Sequence, residues 1–226
     1  MITKITPIPR AILFDLDGTL ADTAPDLAAA VNLLRATQGL TPTPYETLRP
    51  VASSGAKGLI GAAFGLKPED EGYEALRITF LNNYAAALSV ESRLFDGVID
   101  LIHGLSKHNL AWGIVTNKAA RFTEPLISQI GLHEAGCVIS GDTMPQPKPH
   151  PGPLLEAARR LNIAPQDCWY VGDDLRDIQA GHAAGMHTVA AAWGYCGEVI
   201  PHSWGADLIA YTPLQLLECI EYRFLA

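Results

Sequence analysis

Ala11-Ile12-Leu13-Phe14-Asp15-Leu16-Asp17-Gly18-Thr19-Leu20 runs four apolar residues into two carboxylates set two apart, followed at once by a glycine and a threonine. It reads as a buried strand that delivers acids into a turn. Successive side chains of an extended segment alternate faces, so Asp15 and Asp17 come together only where the chain bends sharply, which Gly18 permits. On its own an Asp-x-Asp is most often an ordinary polar turn after a strand. The rest of the chain changes that weighting.

Immediately downstream, Asp22 or Thr23 followed by Pro25 marks a helix start, and Leu27, Val31 and Leu34 continue an apolar stripe. Beyond Gly39 the texture changes. Residues 41–50 are broken by three prolines, 55–64 form a small-residue helical stretch, and 68–88 carry a longer helical pattern without strand signals. This predicts an all-helical insertion over about 42–93. The chain divides accordingly into an α/β core, 1–21 and 94–226, and a helical cap with its hinge segments, 22–93. From Phe95 onward helices at 98–107, 119–130, 153–161, 175–184 and about 213–222 alternate with strands at 112–116, 137–140, 168–171 and 188–192. That alternation predicts an α/β fold, a doubly wound parallel sheet with right-handed crossovers and helices on both faces. Ligands of such sheets bind at the carboxyl ends of the strands, near the switch in strand order.

The 226 residues are 48% hydrophobic and 18% charged, a globular composition. Sixteen basic residues against 24 acidic ones leave a net charge of −8, which offers no overall attraction to nucleic acid or to an anionic membrane. An anionic substrate therefore needs focused positive charge or a metal. Cys137, Cys168, Cys196 and Cys219 lack the spacing of a zinc site or a disulfide framework. The first apolar run is cut by Asp15 before it could serve as a signal-peptide core, and no stretch approaches the ~18 apolar residues of a membrane span. A cytoplasmic protein is expected.

The residues just after each predicted strand form a coherent set. The first strand ends in Asp15, Asp17, Gly18 and Thr19; the second core strand in Thr116-Asn117-Lys118; a later one in Gly172-Asp173-Asp174, with Asp177 a turn beyond. Pro147-Lys148-Pro149 opens a helix between them. Three acids, a hydroxyl and a lysine suit phosphoryl transfer to a carboxylate: the acids bind a divalent cation while hydroxyl and ammonium hold phosphate oxygens. A carboxylate attacking an anionic phosphate meets charge repulsion, which a hard cation relieves, and Mg²⁺ fits that oxygen-rich set. The leaving alkoxide needs a proton, and the two-residue spacing lets Asp17 supply it. His150 stands close to Lys148 in sequence, yet this chemistry does not require it, and it reads as a loop residue.

Taken in order, DLDGTL (15–20), VTNK (115–118), QPKPHPGP (146–153) and VGDDLRDIQAG (171–181) resemble the four motifs of the haloacid dehalogenase-like hydrolases, and the resemblance covers essentially the whole chain. It implies a Rossmann-like core with an inserted cap. It also implies Asp15 as nucleophile, Asp17 as general acid and base that offers its main-chain carbonyl to Mg²⁺, and Asp173 as the second metal-binding carboxylate. Thr116 and Lys148 are implied to hold the phosphate, with Gly18 and Asn117 as further phosphate contacts. Asp177 is implied to orient Lys148 or a metal-bound water. Asp174 stands where many relatives carry serine and is open between metal ligand and outer acid. Asp17 argues for phosphate-ester hydrolysis of a small phosphorylated metabolite; phosphosugar mutases share it and form the alternative, and a phospho-acceptor switch is opposed by the inserted cap.

Within the insertion, Arg49 and Ser53-Ser54-Gly55-Ala56-Lys57 combine two cations with a Gly/Ser turn opening a helix. Arg49, Ser54, Gly55 and Lys57 are candidates for holding a carboxylate or sugar group; the competing reading is a capped surface helix with solvated charges. The opening DLDGTLADTAPDLAAAVN is similar to phosphoglycolate phosphatases. VTNKAARFTEPL, VGDDLRDI and HSWGAD resemble N-acetylmuramic acid 6-phosphate phosphatases, and the expectation leans to that sugar substrate.

Overall fold

A computed structural model of the chain describes residues 8–196 and 201–225. In chain order the strands are β1 (Ala11–Phe14), β2 (Ala21–Asp22), β3 (Arg93–Leu94), β4 (Ala111–Val115), β5 (Val138–Ile139), β6 (Cys168–Gly172), β7 (His187–Ala191) and β8 (Leu208–Ala210). Six of them form one parallel sheet in the order β5-β4-β1-β6-β7-β8. The chain leaves β1 for β4 and β5 on one side, then returns to β6, β7 and β8 on the other. The order therefore reverses at β1, where a doubly wound sheet opens a crevice at its carboxyl edge.

All four residues of β1 are fully buried, because both faces of the sheet are covered. Ile12 and Phe14 face helices α5 (Val98–Lys107), α6 (Ala120–Gln129) and α9 (Pro213–Leu225), through Leu101, Leu105, Leu126, Leu216 and Ile220. Ala11 and Leu13 face α7 (Gly152–Leu161) and α8 (Leu175–Ala183), through Leu154, Ala157 and Ala180. The period-2 alternation along β1 thus feeds two cores.

Between β2 and β3 lie α1 (Ala24–Thr37), α2 (Tyr45–Leu48), a 3-10 turn over Arg49–Ser54, α3 (Gly55–Phe64) and α4 (Tyr73–Ala86). The antiparallel pairing of Ala21 with Leu94 and Asp22 with Arg93 brings both ends of this insertion together. Its apolar residues, including Val31, Leu59, Ile60, Phe80 and Tyr84, continue the core on the Ile12 and Phe14 side of the sheet. The return segment is tied by one buried carboxylate. Asp26 accepts from Val90 N (3.1 Å), Glu91 N (3.0 Å), Ser92 N (2.8 Å) and Ser92 Oγ (2.6 Å).

Several expectations are refined. The helix expected over 68–88 begins only at Tyr73, because Lys67 N donates to Asp70 Oδ2 in a turn and Gly72 enters the helix at φ +84°, a left-handed backbone that suits glycine. Thr23 occupies the N-cap position of α1, but its side chain does not cap. Tyr195 Oη accepts from Thr23 N (2.7 Å) and Ala24 N (2.9 Å) in its place, a cap supplied from 172 residues away. The ribbon β2–β3 and the edge strand β8 are too short to show a period. Among the described residues no helix is long and apolar enough to cross a membrane.

Asp26→Ala leaves three main-chain N–H groups of residues 90–92 without their carboxylate. It is expected to lower stability by about 3 kcal/mol and Tm by about 6–12 °C. Thermal unfolding of the variant decides this, and a loss below about 1 kcal/mol would show that Asp26 is not what ties the insertion down.

Candidate active site

At the carboxyl edge of β1, Leu16 O accepts from the N–H groups of Thr19, Leu20 and Ala21 while Gly18 N donates to Ala21 O. Gly18 sits at φ +83°, and a Cβ there would lie 2.2 Å from Asp173 Oδ2. The turn therefore curls under Asp173 and lets both Asp15 and Asp17 face the crevice. With its N–H taken by Ala21, Gly18 serves the turn's conformation.

Two adjacent strands and the helix after the second deliver the acids. Asp15 follows β1, with Asp15 N donating to Val171 O at 2.9 Å, and Asp173 follows β6. Asp15, Asp173 and Asp177, all buried, place one carboxylate oxygen each within 4.8 Å of one another. Lys148, 4% exposed, reaches into this cluster from the loop before α7. Its ammonium donates to Val115 O (2.9 Å) and Tyr170 Oη (2.8 Å) and makes ion pairs with Asp177 Oδ1 (2.8 Å) and Asp15 Oδ1 (2.9 Å). Asn117 fixes the lysine's main chain: Nδ2 donates to Lys148 O and Oδ1 accepts from Lys148 N. The amide of Asn117 is thereby occupied by Lys148. Thr116, 3% exposed, stands beside it with Oγ1 accepting from Lys118 N.

Electrostatics follow from burial. The acyl oxygens of Asp15 lose water and feel Asp177, and although Lys148 opposes this, the carboxyl is pushed up to about 7. Burial, then Asp15 and Asp177, hold Asp173 well above the usual carboxylate range. Asp173 is nevertheless well hydrogen-bonded, accepting from Thr19 Oγ1 (3.1 Å), Tyr195 N (2.9 Å) and Ser53 Oγ (3.2 Å). Burial disfavours the charge on Lys148, but Asp15 and Asp177 outweigh it and keep the ammonium above its ordinary value. Asp15 Oδ1 meets only the Lys148 ammonium, at 2.9 Å. Three buried acids facing one ammonium fit a hard divalent cation.

Other residues stand outside this cluster. Asp174 caps α8, accepting from Arg176 N, Nε and Nη2, each at 2.8 Å. That arginine outweighs burial and holds the Asp174 carboxyl below its usual range. Asp174 is paired with Arg176 and is not among the three gathered acids. Asp177 both joins the cluster and pairs with Lys148. His150 is exposed, its Nδ1 accepting from Gly152 N.

A cavity of about 300 Å³ opens between this edge and the inserted helices. Asp15, Asp17, Thr116 and Lys118 lie at its floor, Leu27, Phe80, Leu81, Tyr84 and Phe122 form an apolar wall, and Arg77, Arg121 and Arg176 stand around it. Ser54 and Gly55 line it; Arg49 and Lys57 do not. Lys57 is exposed, while Arg49 Nη1 donates to Gly194 O (3.3 Å) and lies over the Tyr195 ring, so it clasps insertion to core. Of the four candidates in the insertion, the structure thus places Ser54 and Gly55 at the cavity. Arg176 Nη2 donates to Ser53 O in a second clasp.

Lys118 is the main residue that sequence reasoning passed over. Its Nζ lies 2.9 Å from Asp17 Oδ1, which also accepts from Thr23 Oγ1. The signal was present, since Lys118 directly follows Thr116-Asn117, but nothing in the motif says that its ammonium bends back to Asp17. Ser53, Tyr84 and Tyr195 are brought in from distant segments and carry no such signal.

A family model described as haloacid dehalogenase-like hydrolase matches residues 12–191. An N-acetylmuramic acid 6-phosphate phosphatase of Pseudomonas putida is 44% identical over 94% of this chain and 96% of its own. A phosphoglycolate phosphatase of Xanthomonas campestris is 46% identical over 93% of this chain and 96% of its own. The crystal structure of a predicted phosphoglycolate phosphatase from Haemophilus somnus superposes with a TM-score of 0.84 at 25% identity, covering 94% of this chain and 98% of that one.

Between 3.8 and about 7 the folded Asp15 holds a proton that the unfolded chain does not, so without a cation the site loses stability as pH rises through that window. A divalent cation replacing the proton removes that loss. Mg²⁺ is expected to raise Tm by several degrees more at pH 8 than at pH 5, read by thermal unfolding with and without chelator. An equal or smaller gain at pH 8 would argue that these carboxylates do not gather around a cation.

Proposed function

The chain belongs to the haloacid dehalogenase-like hydrolases and is a phosphatase, and we propose that it hydrolyses a small phosphomonoester through Asp15, with Mg²⁺ as cofactor and an aspartyl phosphate as intermediate. The observation that carries this reading is the buried group of Asp15, Asp173 and Asp177, three carboxylates with the Lys148 ammonium among them.

Asp15 and Asp173, with the Asp17 main-chain carbonyl, would hold Mg²⁺, which when bound offsets the repulsion between carboxylate and phosphate. Lys148 and Thr116 hold the phosphate oxygens, and Asp177 keeps Lys148 in place. The Asp15 carboxylate attacks phosphorus as the ester P–O bond breaks, and Asp17 gives its proton to the departing alkoxide. Lys118 and Thr23 both contact Asp17 Oδ1 and orient this side chain, so Oδ2 is the oxygen assigned to proton transfer. In the second half Asp17 takes a proton from water, whose oxygen attacks phosphorus. The P–O bond to Asp15 breaks, phosphate leaves and the carboxylate is restored. The insertion acts as a cap, and Ser53, Arg49 and Arg176 are the contacts that keep water out while it is closed.

The cavity favours a sugar phosphate over a two-carbon one. An apolar wall of Leu27, Phe80, Leu81 and Phe122 offers a surface for a ring, which 2-phosphoglycolate lacks, and the arginines around it suit a carboxylate. N-acetylmuramic acid 6-phosphate carries both features. The free thiols of Cys137, Cys168, Cys196 and Cys219 fit a reducing cytoplasm.

Phosphate release with Mg²⁺ from N-acetylmuramic acid 6-phosphate and from 2-phosphoglycolate tests this. The sugar phosphate is expected to be preferred at least about tenfold in kcat/KM, and Asp15→Asn to be slower by about 1,000-fold or more. Preference for the two-carbon ester would reassign the substrate; release that survives Asp15→Asn would remove Asp15 as nucleophile.

A further inference from the structure

Tyr84 carries a buried hydroxyl in the residues that wall the cavity. The residue is 1% exposed, and its polar neighbour is the Lys118 ammonium, which can only donate to the phenol oxygen, so the hydroxyl's own hydrogen finds no acceptor among the described residues. The ring itself is well held. It stacks on Phe80 with centroids 6.4 Å apart, meets Phe122 at 5.4 Å, and has the Lys118 ammonium 4.6 Å from its centroid.

A buried O–H without an acceptor is costly, so the donor side of this hydroxyl is available to a bound ligand. Burial pushes the phenol up to about 12, so it remains a proton donor throughout the physiological range. Lys118 links it to Asp17, the residue that faces the leaving group in the hydrolysis proposed above. The hydroxyl thus stands where the alcohol part of a bound phosphomonoester must lie, beside an apolar surface of Phe80, Leu81 and Phe122.

We propose that Tyr84 is the specificity residue for the leaving group, its hydroxyl donating to a ring oxygen, hydroxyl or amide carbonyl of a carbohydrate-sized alcohol whose apolar face rests on Phe80, Leu81 and Phe122. This rests on the phosphomonoester reading and deepens it. It selects esters whose alcohol is polyoxygenated and ring-sized, because only these satisfy the phenol and cover the wall together.

The test is calorimetric binding to Asp15→Asn protein, which does not turn over substrate. Adding Tyr84→Phe is expected to weaken the sugar phosphate about tenfold in Kd. Inorganic phosphate, which has no leaving group, should weaken by less than about twofold. Equal weakening of both ligands, the mark of a structural role, or an unchanged Kd for the sugar phosphate overturns the assignment. Turnover is read separately in the wild-type enzyme, so absent phosphate release strikes the hydrolysis reading, while unchanged binding strikes Tyr84.

Discussion

An ammonium buried among carboxylates at the end of three parallel strands is the interaction on which the rest of this structure depends. Lys148 is held by Val115 O and Tyr170 Oη and faces Asp15 and Asp177. Taking these charges from water costs several kcal/mol, and breaking such a group by removing one partner costs roughly 3–5 kcal/mol. The arrangement therefore stands only because the backbone brings the partners together. Asn117 clamps the Lys148 main chain, and Gly18 and Gly194 let the Asp173 carboxylate sit against the turn after β1. A Cβ on Gly194 would lie 2.2 Å from Gly18 O and 2.3 Å from Asp173 Cβ. The acids remain crowded and short of positive charge, which is the condition that a divalent cation and a phosphate complete.

The helical insertion is joined to this centre by directional contacts as well as by shared core. Asp26 ties the returning segment, Tyr195 caps α1, and Arg49 bonds Gly194 O. Ser53 is placed to report on the site itself, since its hydroxyl donates to Asp173 and its carbonyl accepts from Arg176. The contacts of Arg49 and Ser53 are single hydrogen bonds between insertion and core, easily exchanged for water. That suits a cap that opens and closes, whereas a wholly apolar boundary would hold it shut.

The cavity under the insertion divides its chemistry by depth. Its floor is charged, with Asp15, Asp17 and Lys118; its wall is aromatic and aliphatic; arginines surround it. In the proposed reaction a phosphate and its alcohol would meet these regions in turn, the core motifs serving reaction and α4 with α6 selectivity.

The sequence by itself determined the parallel sheet, the helical insertion and the order of the acid-bearing strand ends, because these follow from local periodicity and from residues adjacent in the chain. Ala11 to Phe14 had to be a buried strand, and Asp15, Thr116, Lys148 and Asp173 had to follow strands or open a helix. Only the tertiary structure decided what each polar group does. Asp174 turns to Arg176, Gly18 gives its N–H to Ala21, Asn117 gives its amide to Lys148, and Arg49 clasps the core instead of lining the cavity. Tyr195 caps a helix from 172 positions away, and Tyr84 closes the cavity beside Lys118. Such partners are chosen by distance in space and by the competition of donors for acceptors, neither of which a local pattern of residues contains.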